Sequence, residues 1–353
     1  MSARPPKQEQ EQASGEISEV APGVLRAQLP IHFPGLGHVN CYLLEDGDGV
    51  ALVDPGLPGA ASHKTLVERL RLAGFPLRRV HTVIVTHSHP DHYGGAGRVA
   101  HETGARIVTD RRFRLMWDPA EPPDVDVEEL PDVLDRHGTR YPWSPPPWGG
   151  EGIDFSFRRK VELRLARRFP RLMRTPTPTH RLDDAETIGL AGRDWVAVHT
   201  PGHTDDHLCL FDPAEGVMIS GDHVLPTITP HIGGSGPNPD PLASFFASLD
   251  KVAAYGDDVS VALPAHGHPF TDLAGRVASI KEHHLDRLAT IRDTAADLGR
   301  PSTVREYARN LFSARAQGGL ADSETFAHLE HLCLAGEMTR VVDDRRYRYV
   351  LND

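Results

Sequence analysis

Cysteine is scarce in this chain. Its three thiols, Cys41, Cys209 and Cys333, are spread over 353 residues, too few and too far apart for a disulfide framework or a cysteine-based zinc cluster. Long apolar runs are missing as well. No stretch approaches the ~18 residues of a membrane helix, which excludes a helical span. The opening residues, MSARPPKQEQEQASGE, hold no apolar core of the kind a secretory signal carries, so a cytoplasmic chain is expected. Basic charge is in deficit. With 38 Lys+Arg against 49 Asp+Glu the formal charge is −11, which disfavours a general nucleic-acid binder while leaving room for a local basic patch. The rest, 39% hydrophobic and 25% charged, is globular in composition and long enough for about two domains with a real core.

What the chain does have is histidine, 21 of them. Many stand at the ends of apolar runs, beside Asp and Gly. Residues 1–18 are polar without apolar periodicity and predict a disordered tail. From about Val20 short apolar runs begin. Val39–Leu44 and Val50–Val53 flank a turn-rich Glu-Asp-Gly-Asp-Gly and predict a β-hairpin. Ser62–Ala73 has helical spacing and stops at Gly74. Val80–Val85 is β-branched and strand-like. Gly95–Thr103 reads as a helix and Ala105–Thr109 as a strand. Trp195–His199, Val217–Ser220 and Val259–Leu263 are three more short strands. Strands and helices mixed with crossover-length spacers predict a layered core of α/β or α+β type.

Two stretches differ from this text. Pro119–Trp148 is rich in Pro, Asp and Glu, and Glu121–Asp135 carries seven acids and no base. Arg158–Arg181 carries nine basic residues against Glu162 alone, a formal +8. The plainer expectation is that these segments neutralise each other or face solvent. The sharper one is a basic rim for a phosphorylated substrate. Residues 111–182 are therefore expected to form an insertion or cap, and Trp143 and Trp148 either cover an apolar substrate or pack the loop onto the body. The last 80 or so residues change character again. Ile280–Leu298, Thr303–Phe312 and Ser323–Met338 have helical patterns, and Val341–Val350 alternates like a closing hairpin. Three helices and a hairpin predict a winged-helix-like domain over 275–353. It carries 12 basic and 12 acidic residues, a neutral balance that suits packing or dimerisation better than reading DNA; a homodimer is compatible with it.

The strongest chemical signal is Thr86-His87-Ser88-His89-Pro90-Asp91-His92, after an apolar strand and before Gly94-Gly95. Three imidazoles and a carboxylate within six residues suit zinc and similar divalent ions. His87 and His89, two apart on an extended segment, can point one way. Asp91 and His92, past the Pro90 turn, can serve a second nearby position. Further strand ends repeat the theme: Pro201-Gly202-His203-Thr204, Gly221-Asp222-His223, Pro264-Ala265-His266-Gly267 and Asp54-Pro55-Gly56. In each, apolar β text stops and a Gly-flanked His or Asp follows, where glycine permits tight turns. Polar groups at one common edge of a sheet would form a site on rigid elements.

With these residues the chain resembles the metallo-β-lactamase superfamily of hydrolases. The matching pieces are Asp54, the HxHxDH run, His203 in PGHT, Asp222 in SGD and His266 in PAHG, over roughly Val20 to Asp272. The resemblance implies an αββα four-layer sandwich of the α+β class spanning residues 19–274, with the site at one edge of its two sheets. It implies two divalent ions, zinc by default, with manganese, iron or cobalt acceptable to such donors. His87, His89 and His203 would hold the first ion. Asp91, His92 and His266 would hold the second, Asp222 would bridge them, and Asp54 would support the site from behind. A bridging Asp is generally absent from true β-lactamases and is a feature of the glyoxalase II, lactonase, thioesterase and nuclease branches. TPGHTDDHL, SGDH and the C-terminal helices are most similar to the β-lactamase-like-protein-2 branch.

The activity implied is attack by a hydroxide, held between two ions ~3.5–4 Å apart, on an activated acyl carbon. Asp91 would also help move a proton to the leaving group. The expected substrate is a small acyl compound, either a thioester (acyl-CoA or a glutathione thioester) or a lactone, and the basic segment would suit a phosphate-bearing carrier. The alternative is a metal-dependent endoribonuclease; a non-catalytic or iron-redox member of the fold is a third reading. His223, beside Asp222, is a candidate for substrate contact. His207 is expected to anchor the loop after His203, and His231 and His268 to stand at the pocket rim. His283 and His284 are expected at the surface or a domain contact. His32, His38, His63, His81, His101, His137, His180 and His199 read as structural, and Cys209 as buried without a role.

Overall fold

The computed structural model describes residues 7–33, 35–47, 49–115, 146, 148–149, 156–169, 174–234, 236–343 and 346–352. Seven strands form one sheet in sequential order: β1 (Ile17–Ala21), β2 (Val24–Phe33), β3 (Leu36–Asp46), β4 (Gly49–Val53), β5 (Val80–Ile84), β6 (Arg106–Asp110) and β7 (His180–Leu182). The first four pair antiparallel as a meander, and β4 to β7 pair parallel. Five strands form the second sheet: β8 (Thr187–Leu190), β9 (Arg193–His199), β10 (Leu208–Asp212), β11 (Val217–Gly221) and β12 (Val261–Pro264), with β11 and β12 parallel.

The two sheets stack because their strands are apolar on both faces. Within β3, Tyr42 and Leu44 point to a core shared with Trp195, Leu208, Leu210 and Ile219 of the second sheet. Val39, Cys41 and Leu43 point the other way. There they meet α1 (Ala60–Leu72) and α3 (Ala96–Thr103), the latter preceded by the single turn α2 (Pro90–Tyr93). A period of two thus sends alternate side chains into two different cores. On the second sheet Leu208 and Leu210 of β10 face the first sheet, while Cys209 and Phe211 face helices. Helix, sheet, sheet and helix make four layers, the mixed α+β metallo-β-lactamase fold expected from the sequence.

The outer layer of the second sheet is α5 (Pro241–Ala253), which follows α4 (Phe157–Arg168) in the chain, and the long α6 (Leu273–Leu298). Asp240 and Asp272 cap α5 and α6 by accepting from the backbone amides of Ala243 and Gly275. The helix over 241–253 was not anticipated, and α6 begins seven residues before the predicted Ile280. Strand β13 (Ser302–Thr303), α7 (Val304–Leu311), α8 (Gly319–Leu334), β14 (Met338–Asp343) and β15 (Arg346–Leu351) complete the chain, the three strands forming a small sheet. Val277, Ile280, Tyr307, Phe326 and Tyr349 share one buried core with Leu242, Phe245 and Val198. The C-terminal elements thereby pack directly against the helical layer of the second sheet.

The amino-terminal expectation needs correcting. Residues 7–18 are ordered against the protein, not a disordered tail. Glu9 is completely buried. It accepts from the amides of Thr227 (2.8 Å) and Ile228 (3.1 Å) and from the Thr227 hydroxyl. Polar residues can be ordered by a specific buried hydrogen-bond set, which apolar periodicity does not report. The acidic stretch 121–135 and Trp143 lie outside the described residues. Trp148 is buried and stacks on Phe326 with ring centroids 4.5 Å apart, so this ring packs against α8. Arg181 donates to the carbonyls of Arg111 and Phe113, a structural role, while Arg158, Arg164 and Arg168 of α4 are exposed. Among the described residues no helix is long and apolar enough to cross a membrane.

Candidate metal centre

The ends of β4, β5, β9, β11 and β12 meet at one edge of the two sheets. They bring Asp54, the 86–92 loop, His203, Asp222 and His266 together. Two groups of possible ligands result: His87, His89, His203 and Asp222, and beside them Asp91, His92 and His266. Asp222 belongs to both in space. Its Oδ2 lies 3.5 Å from His203 Nε2, 3.9 Å from His87 Nε2 and 3.6 Å from His92 Nε2, and its Oδ1 lies 3.3 Å from His266 Nε2. Asp91 Oδ2 is 3.5 Å from His92 Nε2 and 3.6 Å from His266 Nε2.

Local chain chemistry explains the convergence. Pro90 occupies the first turn of α2, where its missing N–H costs nothing. The turn carries Asp91 and His92 off the line of His87 and His89. Gly202 sits at φ 136°, where a Cβ would lie 2.5 Å from Phe245 Cα; only glycine lets the chain pass and deliver His203. Asp54 itself has φ 56°, a conformation Asp and Asn tolerate.

Four of the five histidines have an outward partner for Nδ1. His203 Nδ1 meets the His231 carbonyl at 2.7 Å and His266 Nδ1 the His38 carbonyl at 2.6 Å. His92 Nδ1 meets Asp54 Oδ2 at 2.8 Å. His87 Nδ1 is 3.1 Å from the Thr86 hydroxyl, which donates to Asp54 Oδ2 at 2.7 Å. These acceptors assign the proton to Nδ1 and leave the Nε2 lone pairs facing inward. His89 instead offers Nδ1, 2.9 Å from His87 Nε2 and 3.0 Å from His203 Nε2. A proton on His89 Nδ1 satisfies one such contact at a time.

The electrostatics favour a cation. His92 Nε2, His266 Nε2 and Asp222 Oδ1 are buried without a hydrogen-bond partner. Burial, with help from neighbouring imidazoles, holds His87 well below the usual histidine range and His89 down to about 3; both are neutral, as ligands must be. Burial also lowers His203. Burial would lower His92 and His266 too, but the carboxylates outweigh it, chiefly Asp91 and Asp222 for His92 and Asp222 for His266, and both are raised. Three carboxylates, Asp54, Asp91 and Asp222, around five imidazoles are a donor set suited to divalent ions.

Other residues fall differently. His207 is fully buried; its Nδ1 is 2.7 Å from the Thr200 hydroxyl and its Nε2 accepts the Asp222 amide at 3.0 Å. It anchors the loop, as expected, and also positions Asp222. His223 corrects an expectation. The turn closed by the His223 amide on the Ser220 carbonyl sends Asp222 toward the imidazoles and His223 into the core. There it is fully buried between His207 and Phe245, at 5.8 and 5.1 Å between ring centroids, and burial holds it down to about 3. That placement offers a substrate nothing. His268 is bound to Glu11 at 2.8 Å. His38, read as structural, holds the centre directly: its carbonyl serves His266 and its ring accepts the Gly267 amide at 3.0 Å. Thr86 was overlooked as a link between His87 and Asp54; its place next to His87 was the available signal. His284, foreseen at the surface or a domain contact, is buried against His328.

A family model of the metallo-beta-lactamase superfamily matches residues 34–266, and the chain belongs to that superfamily. A metallo-beta-lactamase family protein of Thermus thermophilus is similar in structure at a TM-score of 0.72 with 30% identity, covering 95% of this chain and 100% of that one. The probable metallo-hydrolase YqjP of Bacillus subtilis is 25% identical over 325 residues, 88% of this chain and 92% of that protein. The atrochrysone carboxyl ACP thioesterase nsrC of Aspergillus novofumigatus is 31% identical over 112 residues, 31% of this chain and 32% of that protein.

Proposed function

We propose that the chain is a dinuclear metal-dependent hydrolase of an activated acyl compound, with a thioester as the preferred class. The observation that carries this is Asp222, one carboxylate within 4 Å of the Nε2 atoms of both imidazole groups. His87, His89 and His203 would hold one ion, Asp91, His92 and His266 the other, and Asp222 both. Zinc suits these donors best, with manganese or iron acceptable. Divalent ions so placed supply a lowered water pKa and Lewis-acid polarisation of the scissile carbonyl. The chain's own residues do the rest. Asp54, Thr86, His38 and His231 fix the imidazoles through Nδ1. His207 fixes the Asp222 backbone. Asp91 is the carboxylate assigned to pass a proton toward the leaving group, and hydrolysis yields a carboxylic acid and a thiol. The partial likeness to an ACP thioesterase supports the thioester class over lactones. Asp222 itself supports this class over true β-lactamases. The C-terminal order helix, strand, helix, helix, strand, strand supports reading residues 275–353 as a winged-helix-like domain packed on a hydrolase domain of residues 19–274.

The test is thiol release from a panel of acyl-CoA and glutathione thioesters by metal-assayed protein, with lactones and single-stranded RNA in parallel. Asp222→Ala is expected to lose metal occupancy and turnover together. Full turnover with both metals retained in that variant would refute the bridging role. RNA cleavage without thioester turnover would replace the reading by an endoribonuclease.

A further inference from the structure

Between β11 and α5 the chain runs through residues 222–240, a Gly- and Pro-rich stretch whose described residues form no helix or strand. Within it lies the His231 carbonyl that receives His203 Nδ1–H. No regular element sets the direction of that carbonyl, so side chains from elsewhere must. Glu9 holds Thr227 and Ile228 from one side, and Arg276 of α6 donates to the carbonyls of Leu225 and Ile228, each at 2.6 Å. From the other side α8 takes over. His231 Nδ1 lies 3.3 Å from Glu324 Oε2, and the Gly234 amide meets the Ser323 carbonyl at 3.3 Å. Glu324 is buried, and its Oε1 is ion-paired with Arg287 of α6, whose guanidinium lies over the Phe312 ring.

Glu324 also stands with His284 and His328 in a buried group whose ligating atoms lie within 4.8 Å of one another. Within that group only His284 Nε2 is buried without a hydrogen-bond partner, and the carboxylate itself is fully engaged. Arg287 and His231 engage the carboxylate. His328 Nδ1 is bonded to the Glu324 carbonyl at 2.7 Å, and its Nε2 is free to accept from His284 Nδ1 at 3.0 Å. Its carboxylate therefore serves the His231 ring and not an ion.

We propose that Glu324 is a positioning residue for the metal centre. Through the His231 ring it fixes the carbonyl that orients His203, so the C-terminal helices set the aim of an imidazole delivered by the second sheet. The inference rests on reading His203 as a metal ligand. An outer partner of a ligand histidine is worth roughly 10–100-fold in metal affinity, and the link here runs through one more residue, which places the expectation at the lower end, about tenfold.

The experiment is a competitive zinc titration of the apo full-length protein against a chelator, with cobalt spectra and kcat and KM recorded alongside. Glu324→Ala and His231→Ala should each weaken one of two zinc sites about tenfold, shift the cobalt ligand-field bands, and lower kcat more than KM rises. The double variant should be no worse than either single, since both cut the same link. Glu324→Gln, which keeps an acceptor for His231, should recover most of the affinity. Glu330→Gln, on the same helix as Glu324, is the control: its carboxylate accepts from Arg340 of β14 and Tyr349 of β15, and it should cost stability without moving zinc affinity. Additive losses, or a Glu324→Ala that lowers the melting midpoint as the control does with zinc affinity unchanged, would overturn the proposal. So would a third bound ion in the wild type, removed by both Glu324→Ala and His328→Ala. A wild type that binds no divalent ion would sink the functional reading, and this proposal with it.

Discussion

Replacing Asp54 by Asn separates the hydrogen-bonding role of this carboxylate from every steric role. Asn has the same shape and accepts the left-handed φ of 56° at least as readily, so the backbone is not perturbed. The carboxylate accepts three hydrogen bonds: Oδ1 from the Thr86 amide at 2.9 Å, and Oδ2 from the Thr86 hydroxyl at 2.7 Å and His92 Nδ1 at 2.8 Å. An amide offers one acceptor oxygen in place of two. If its NH2 takes the Oδ1 position, the buried Thr86 amide loses its acceptor, a loss of about 1–3 kcal/mol. If it takes the Oδ2 position, the NH2 faces His92 Nδ1 and drives the proton to Nε2, the atom needed inward. The second arrangement avoids an orphaned backbone amide and should dominate. Metal held by Asp91, His92 and His266 should then weaken roughly 10–100-fold, while metal at His87, His89 and His203 is less affected. Metal content after dialysis against graded chelator, read beside the thermal midpoint, measures this. Two ions retained within twofold of wild-type affinity would refute the tautomer argument.

Three further outcomes follow from the same structure. Glu9→Ala removes the acceptor from the amides of Thr227 and Ile228, an exposed and a half-buried residue, and should cost about 1–3 kcal/mol in all; a denaturation midpoint unchanged from wild type would show the amino-terminal segment to be unimportant. Gly202→Ala places a Cβ 2.4 Å from Phe245 Cβ at φ 136°, and should destabilise by about 1–3 kcal/mol from backbone strain alone, with His203 displaced; urea unfolding gives the loss, and a stable variant of unaltered metal affinity would contradict it. The last concerns pH. Burial holds His284 down to about 3 and His328 to about 4, both below the unfolded value near 6.5. The unfolded chain therefore binds more protons across that window. Stability is full above about pH 6.5 and falls as pH drops toward 4. His284→Asn should flatten the fall in melting midpoint between pH 7 and 4.5, and parallel curves would count against it.

How much of this was legible beforehand varies by residue. The run His87–His92 was readable because its donors are local: six residues of fixed geometry, ended by a proline turn. The strand ends at Asp54, Asp222 and His266 were readable because apolar β text stops abruptly at each. A layered α/β or α+β core was legible in the mixture of strands, helices and crossover-length spacers, and its four layers were what the family resemblance implied. The helix over 241–253 and the early start of α6 were missed, since their apolar residues are interrupted and the N-caps Asp240 and Asp272 stand among other turn residues.

Sequence alone thus determined the family, the layered mixture of strands and helices and the inventory of donors, because these depend on residue type and short spacing. The tertiary structure alone decided which partner each donor has. His266 Nδ1 finds its carbonyl at His38, 228 residues away, and His231 finds its carboxylate at Glu324, 93 residues on. Glu9 is ordered only because two amides of a remote loop need an acceptor, and His223 turns inward only because the 220–223 turn gives Asp222 the other direction. Such choices are made by packing between distant segments, and no local pattern encodes them.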